Sequence, residues 1–340
     1  FAQEHLTLRT DVTFYGDNTE FFNLFRDGAT LLGTATTVAL DVDLNESVTF
    51  SGGLFMNHRF GSERIAEIWR PVFSLALHSE HQRFIIGTLD GFERVDGFGP
   101  DRTGPHGLLP PLQRETLAFQ RPYEAGLQWK MNYPRLLHNS WINWQNINTE
   151  KRRERFDVGV DGRLPLQTFI PISLAYQFHL VHEGGQLHSN GPVRDSWALG
   201  PGVIFEPTLW FLDRTAIEGY ALFSRYVPDR ANLADSNHGH GIFARASGEK
   251  SGWRAHIIFW ESCDWIKEEG DENYGVLMQD GRVFRNTRHY GEIGLTKTFY
   301  PVKDVEVEGS ARIHRIERDY NYSYRILARV GFDFPVWTRQ

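Results

Sequence analysis

Arginines and carboxylates recur at every second position in several segments of this sequence. Only six of the 36 basic residues are lysine, so arginine supplies most of the positive charge. A guanidinium stays charged, and its planar fork binds a carboxylate or phosphate group through two hydrogen bonds. Facing water, such residues would select anionic or hydroxyl-rich solutes. Facing each other across neighbouring strands, they would form ion pairs that only stiffen a wall. Both interpretations stay open for each residue.

The histidines form two local groups with some likeness to metal ligands. The stretch HEGGQLHSNG holds His182, Glu183 and His188, and NHGHG holds His238 and His240. These spacings match no strong metal signature, which favours histidines in solvent-exposed loops. Serine and histidine are both present, yet no motif places a nucleophile beside a base. We therefore predict no catalytic residue, no metal and no cofactor, and a protein that is not an enzyme.

The elements that would position these side chains are β-strands. In YEAGLQWKMNY at 123–133, apolar or aromatic residues alternate with polar ones, and a period of two is typical of a strand with one dry and one wet face. Segments 156–164, 172–181, 305–314 and 322–334 repeat the pattern. The sequence predicts about 16 strands and no amphipathic helix of useful length.

The connections between these strands alternate between long and short. The long ones are predicted at 17–30, 91–122, 146–153, 183–193, 228–238 and 263–286. A β-propeller should repeat every 40–45 residues or so, and the sequence shows no such repeat. Greek-key links in a soluble sandwich have no reason to alternate in this way. We predict an all-β protein, a transmembrane antiparallel up-and-down β-barrel of about 16 strands, with long extracellular loops and short periplasmic turns. It forms a single domain over residues 1–340.

Composition narrows the function classes. The net charge of −7 provides no basic field, so nucleic acid is not an expected partner. One cysteine excludes an internal disulfide. The chain begins FAQEHLTL without a basic and apolar leader, so we expect an exported protein of the bacterial outer membrane whose signal peptide has been removed.

The two faces of the predicted strands give two sets of residues. Aromatic residues near strand ends would form the girdles at the membrane interfaces. These are Trp69, Tyr123, Trp129, Tyr133, Trp253, Phe299, Tyr322 and Phe334. The wet face would line an aqueous lumen, since 16 strands leave a channel. Its predicted wall residues are Arg70, Glu124, Gln128, Lys130, Arg155, Arg163, Arg245, Arg254, Glu306, Glu308, Arg312, Arg325 and Arg329.

In overall plan the chain resembles the bacterial 16-stranded porins. Its C-terminal stretch RVGFDFPV is similar to the β-signal of outer-membrane barrels, which implies assembly by the barrel-assembly machinery through the last strand. The longest connection, 91–122, stands where that family has the third loop, which folds into the lumen. The resemblance therefore implies a constriction loop carrying Asp101, Arg102, His106, Arg114 and Glu115.

The sequence also departs from the porin pattern. The acidic third-loop motif is missing, and the apolar run GLLPPL takes its place. The second loop, RFGSER, looks too short for the latch that holds porin trimers together, which leaves a homo-oligomer in question.

We predict a channel for small hydrophilic solutes, anionic or sugar-like, in contact with outer-membrane lipid and lipopolysaccharide. The alternative is a non-conducting docking barrel of a larger envelope or polysaccharide-export complex. An outer-membrane hydrolase is the third hypothesis.

Overall fold

Sixteen antiparallel strands close into one barrel in the part of the chain that the computed structural model describes. That part comprises residues 5–90, 106–166, 169–185, 187–188 and 191–338. Each strand pairs with its sequence neighbours, and β1 closes the barrel on β16, with a register from His5 opposite Thr338 to Glu20 opposite Tyr322. The predicted all-β fold and its porin-like plan are confirmed.

The strands vary from 7 to 20 residues in length. They are β1 His5–Phe22, β2 Asp27–Asn45, β3 Val48–Arg59, β4 Ile68–His78, β5 Gln82–Thr88, β6 Ala125–Tyr133, β7 Leu136–Asn146, β8 Glu154–Pro165, β9 Ile172–Gly184, β10 Arg194–Phe205, β11 Arg214–Val227, β12 Asn237–Lys250, β13 Trp253–Cys263, β14 Thr287–Val302, β15 Val305–Ile316 and β16 Asp319–Thr338. One short α-helix, α1, spans Leu117–Gln120, and 3-10 turns span Leu233–Asp235 and Glu272–Tyr274.

Alternation along each strand fixes which side chains face lipid. In β13, Ile257 and Phe259 are about half exposed, whereas Arg254, His256 and Trp260 are buried. Apart from Glu261 at the end of the strand, the exposed members are apolar, as a surface against lipid requires, and most of the buried members are polar. The dry face therefore looks outward along this strand.

Some predicted connections are shorter in the structure. The loop expected at 17–30 shrinks to 23–26, because the residues before and after it continue the β-ladder, with Thr19 opposite Ala29. The connection between β15 and β16 is only residues 317–318. Both of these neighbouring connections are therefore tight turns, of four and two residues.

Two long connections enter the barrel. Residues 106–121, before β6, and residues 264–286, between β13 and β14, contribute Leu109, Leu112, Trp265 and Tyr274 to a buried apolar cluster with wall residues such as Trp260. Backbone hydrogen bonds join the two segments, from Arg114 N to Glu269 O (2.7 Å) and from Asp271 N to Pro110 O (2.9 Å). The interior beside strands β7 to β15 is thus a packed core.

Candidate active site

Three neighbouring strands bring a serine, a histidine and a glutamate together inside the barrel. Oγ of Ser323, on β16, lies 2.8 Å from Nε2 of His314, on β15. Nδ1 of His314 lies 3.3 Å from a carboxylate oxygen of Glu292, on β14. This is the order of nucleophile, base and carboxylate that serine hydrolases use.

The hydrogen bonds of Tyr290 determine which ring nitrogen of His314 carries the proton. Its hydroxyl donates to Glu292 Oε2 at 2.5 Å and lies 2.8 Å from Nδ1 of His314. A phenol has one proton to donate, and that proton is directed at Glu292. The phenol oxygen therefore accepts from Nδ1–H, which leaves Nε2 of His314 free to accept the proton of Ser323. His256 Nε2 holds the other oxygen of Glu292 at 2.8 Å.

The strand register explains this geometry. Ser323 lies directly opposite Arg312, and His314 lies opposite Asn321. Every second residue points inward, so Ser323 and His314 are diagonal neighbours on the inner face. Both are within five residues of the two-residue hairpin, which places the group at the extracellular end of the barrel.

Two arginines lie beside the serine. Arg312 and Arg325 face the same interior space, and both bond to Oε2 of Glu115, at 2.8 and 3.1 Å respectively. Nε of Arg325 also donates to Asp17 at 2.7 Å. Charged donors on the inner wall therefore adjoin the nucleophile.

The space beside Ser323 is a cavity of about 30 Å³. The two inner segments cover this cavity. The first contributes Pro110 and Thr116, and the second contributes Asp271 and Tyr274. Arg26, from the 23–26 connection, adds an ion pair to Asp271 at 2.5 Å. A substrate therefore has to displace part of these inner segments to reach the serine.

The strand ends and the turn beside the candidate site carry exposed apolar side chains. Phe22 is 78% exposed, Tyr320 is 72% exposed, and Leu24, on the 23–26 connection, is 57% exposed. Apolar groups at this level suit contact with lipid acyl chains.

A second buried histidine, His179, lies on β9. Nδ1 of His179 is 3.1 Å from the carbonyl oxygen of Leu112, and Nε2 is 3.6 Å from Asp157. Burial lowers the pKa of Lys267, in the second inner segment, to about 8 against the opposing pull of Glu269. Burial would raise the pKa of Glu269, but Arg121 and other cations hold it well below its usual range. These contacts hold residues of both inner segments against the barrel wall.

The predicted wall residues mostly form ion pairs or hydrogen bonds across strands. Arg245 bonds to Glu218 at 2.8 Å, and Arg329 bonds to Glu306 at 2.6 Å, each across a directly opposed pair. The others on the inner face that are buried or half-buried are Glu124, Gln128, Lys130, Arg155, Arg163, Arg254, Glu308, Arg312 and Arg325. Arg70 is exposed. Their role in lining a pore stays a prediction.

The predicted constriction residues divide into two sets. Asp101 and Arg102 lie outside the described residues. His106 is buried, bonded to Glu124 at 2.5 Å and stacked on Trp141. Arg114 pairs with Glu272, and Glu115 pairs with the two arginines beside Ser323.

Of the predicted girdle residues, Trp69, Trp129, Trp253, Phe299, Tyr322 and Phe334 are 41–55% exposed. Tyr133 is half-buried. Tyr123 departs from the prediction, because β6 begins only at Ala125 and the Tyr123 ring packs against Phe55, a buried residue. Tyr123 therefore contacts the interior wall.

Ser323, His314, Tyr290 and Glu292 were not predicted as a group from the sequence. The available signal was a histidine and a serine on the wet faces of two strands that flank a short connection. That signal becomes specific only once the hairpin register is known.

Among the described residues, no group of three or more histidine, cysteine or acidic side chains is arranged to hold a metal ion. No helix in the described ranges is long and apolar enough to cross a membrane.

A family model described as lipid A 3'-O-deacylase-type matches residues 2–338. The chain belongs to this family. The family bears the name of an enzyme, so the expectation that the protein is not an enzyme is wrong. No curated protein sequence matches the chain.

Solved structures share the barrel at low sequence identity. OmpT, an outer membrane protein of Vibrio cholerae in its trimer form, is 7% identical with a TM-score of 0.55, over 97% of this chain and 99% of that chain. OccK8 (OprE) of Pseudomonas aeruginosa is 8% identical with a TM-score of 0.53, over 97% of this chain and 98% of that chain. These likenesses show the fold, that of a bacterial outer-membrane barrel.

Proposed function

We propose that this lipid A 3'-O-deacylase-type protein is a serine ester hydrolase that removes an acyl chain from a lipid A-like saccharolipid. The observation that carries the proposal is the hydrogen-bonded series Ser323, His314, Tyr290 and Glu292. The family membership supplies the substrate class.

The reaction follows from this series. Ser323 Oγ attacks the acyl carbonyl carbon as its proton passes to Nε2 of His314. Collapse of the tetrahedral intermediate breaks the ester C–O bond, and His314 returns the proton to the leaving alkoxide. Water then attacks the acyl-serine with His314 again acting as base, which releases the fatty acid and restores Ser323. Glu292 stabilises the protonated imidazole.

Access from the outer leaflet supports the same proposal. Lipid A-type molecules would lie beside the extracellular rim, and the candidate site lies at the extracellular end of the barrel. Exposed Phe22 and Tyr320 would contact acyl chains there. The membrane surroundings we propose are outer-membrane lipid and lipopolysaccharide, with assembly of the barrel through β16.

The test compares Ser323→Ala with Ser247→Ala, an inward-facing buried serine on β12. Fatty-acid release from lipid A in detergent micelles should fall by about a thousandfold or more in Ser323→Ala and stay unchanged in Ser247→Ala. Equal activity of both variants would remove Ser323 from the mechanism.

A channel for small hydrophilic solutes is the second candidate. The supporting observation is an interior cavity of about 400 Å³ at the periplasmic half, lined by charged residues including Arg9, Asp41 and Arg329. Planar-bilayer recordings test this function. Discrete openings that become more cation-selective in Arg329→Glu would support a pore, and a folded barrel without openings would exclude it.

A further inference from the structure

Two arginines beside the candidate nucleophile share one carboxylate oxygen. Nη1 of Arg312 and Nη1 of Arg325 lie 2.8 and 3.1 Å from the same atom, Oε2 of Glu115. Arg312 lies directly opposite Ser323 in the strand register, and Arg325 lies two positions further along β16 on the same face. All three side chains line the same cavity.

Glu115 differs from the other acids around these arginines. Asp17 and Glu292 belong to the wall, on β1 and β14, and Asp17 is directly opposite Arg325 in the register. Glu115 instead belongs to the inner segment 106–121, which is placed against the wall by packing. Its carboxylate is therefore held by side-chain contacts and not by a β-ladder.

One oxygen between two guanidinium groups is the arrangement that a phosphate oxygen adopts in an arginine site. Each guanidinium has five N–H donors. Arg325 uses Nε for Asp17 and Nη1 for Glu115, so the two acids occupy different edges of the group. Displacing Glu115 would leave the Asp17 contact intact and turn the Nη1 edge toward a new anion.

We infer that Arg312 and Arg325 form a binding subsite for a phosphate group beside Ser323, and that Glu115 occupies this subsite as an internal competitor. The assignment of the phosphate to a lipid substrate rests on the proposed function, whereas the anion subsite does not. A phosphorylated ligand must displace the Glu115 carboxylate, so the wild-type protein holds the subsite partly closed.

This competition predicts tighter phosphate binding when the carboxylate is removed. Titration calorimetry of the folded, detergent-solubilised barrel with inorganic phosphate should show affinity increased by about tenfold in both Glu115→Ala and Glu115→Gln, because the competing state is lost. Glu115→Gln keeps the side-chain volume, so it also serves if Glu115→Ala does not fold. Adding Arg325→Gln to Glu115→Gln should abolish the gain.

The matched control is Glu306→Gln. Glu306 bonds to Arg329 across the same two strands, away from Ser323. Unchanged affinity in both Glu115 variants, or the same gain in Glu306→Gln, would overturn the subsite.

Two further arms identify the source of the phosphate and separate this inference from the enzyme proposal. A higher KM for dephosphorylated lipid A than for lipid A would assign the subsite to the lipid, whereas equal KM values with retained inorganic phosphate binding would assign it to a free anion. Ser323→Ala should bind inorganic phosphate like the wild type. An active Ser323→Ala would refute the hydrolase mechanism and leave the phosphate titrations standing.

Discussion

The Oγ atom of Ser323 lies 2.8 Å from Nε2 of His314, although the two residues belong to different strands and are nine positions apart. The β15–β16 hairpin creates this proximity, and the buried Glu292 and Tyr290 on β14 complete it. A rigid sheet thus carries every member of the candidate site, which favours a fixed catalytic geometry.

Tyr290 positions His314 and does not itself react. Tyr290→Phe removes the acceptor of Nδ1–H while leaving the ring in place, so kcat for ester cleavage should fall by about tenfold with KM unchanged. The matched control is Tyr176→Phe, which removes another tyrosine–histidine hydrogen bond, that to His138 at 2.9 Å. A change in KM alone, or an equal fall in the control, would contradict the positioning role.

The half-buried Lys267 should make stability depend on pH. Burial lowers its pKa from 10.5 to about 8 in the folded protein. Between these values the unfolded chain binds more protons, so the free energy of unfolding should rise with pH across this window, by up to about 3 kcal/mol. Urea unfolding of the refoldable barrel in detergent at pH 7.5 and 10.5 measures the rise.

Lys267→Met should remove this rise and stabilise the protein at pH 7.5, because the charged form carries the desolvation penalty. The control is Lys250→Met, since the Lys250 side chain is 56% exposed. Parallel pH dependence in the wild type and Lys267→Met would show that Lys267 is not the responsible group.

Gly159 should be sensitive to added volume. It lies opposite Trp141 in the register, and a Cβ atom there would overlap the indole ring that stacks on His106. Gly159→Val should therefore lower the free energy of unfolding by about 1–3 kcal/mol and loosen the inner segment. Gly219→Val is the control, because a Cβ at Gly219 meets no atom within 4 Å. Equal losses in the two variants would point to strand propensity instead of the ring contact.

The barrel could be predicted from the sequence because its signals are local. Alternation in segments such as 123–133 reports the two faces of a strand, and the connection lengths report the meander. Strand ends were less predictable. The ladder extends beyond the alternating region at 17–30, where polar residues such as Asn18 and Thr19 still pair.

The candidate site could not be predicted in the same way. Its geometry depends on which residue of β16 lies opposite Arg312, and a shift of one position would turn Ser323 toward lipid. The porin resemblance implied that the connection 91–122 enters the lumen, but the apolar run GLLPPL does not reveal that Leu109 and Leu112 pack against wall residues of distant strands. Entry of the second inner segment, 264–286, was not predicted.

Covalent labelling tests whether Ser323 is a nucleophile. A fluorophosphonate with an alkyl chain should react with the folded wild-type barrel, and peptide mass spectrometry should locate the adduct on Ser323. His314→Gln should reduce the labelling rate by about a thousandfold, because the general base is lost. An unlabelled Ser323 in folded protein, or equal labelling in His314→Gln, would contradict the hydrolase account.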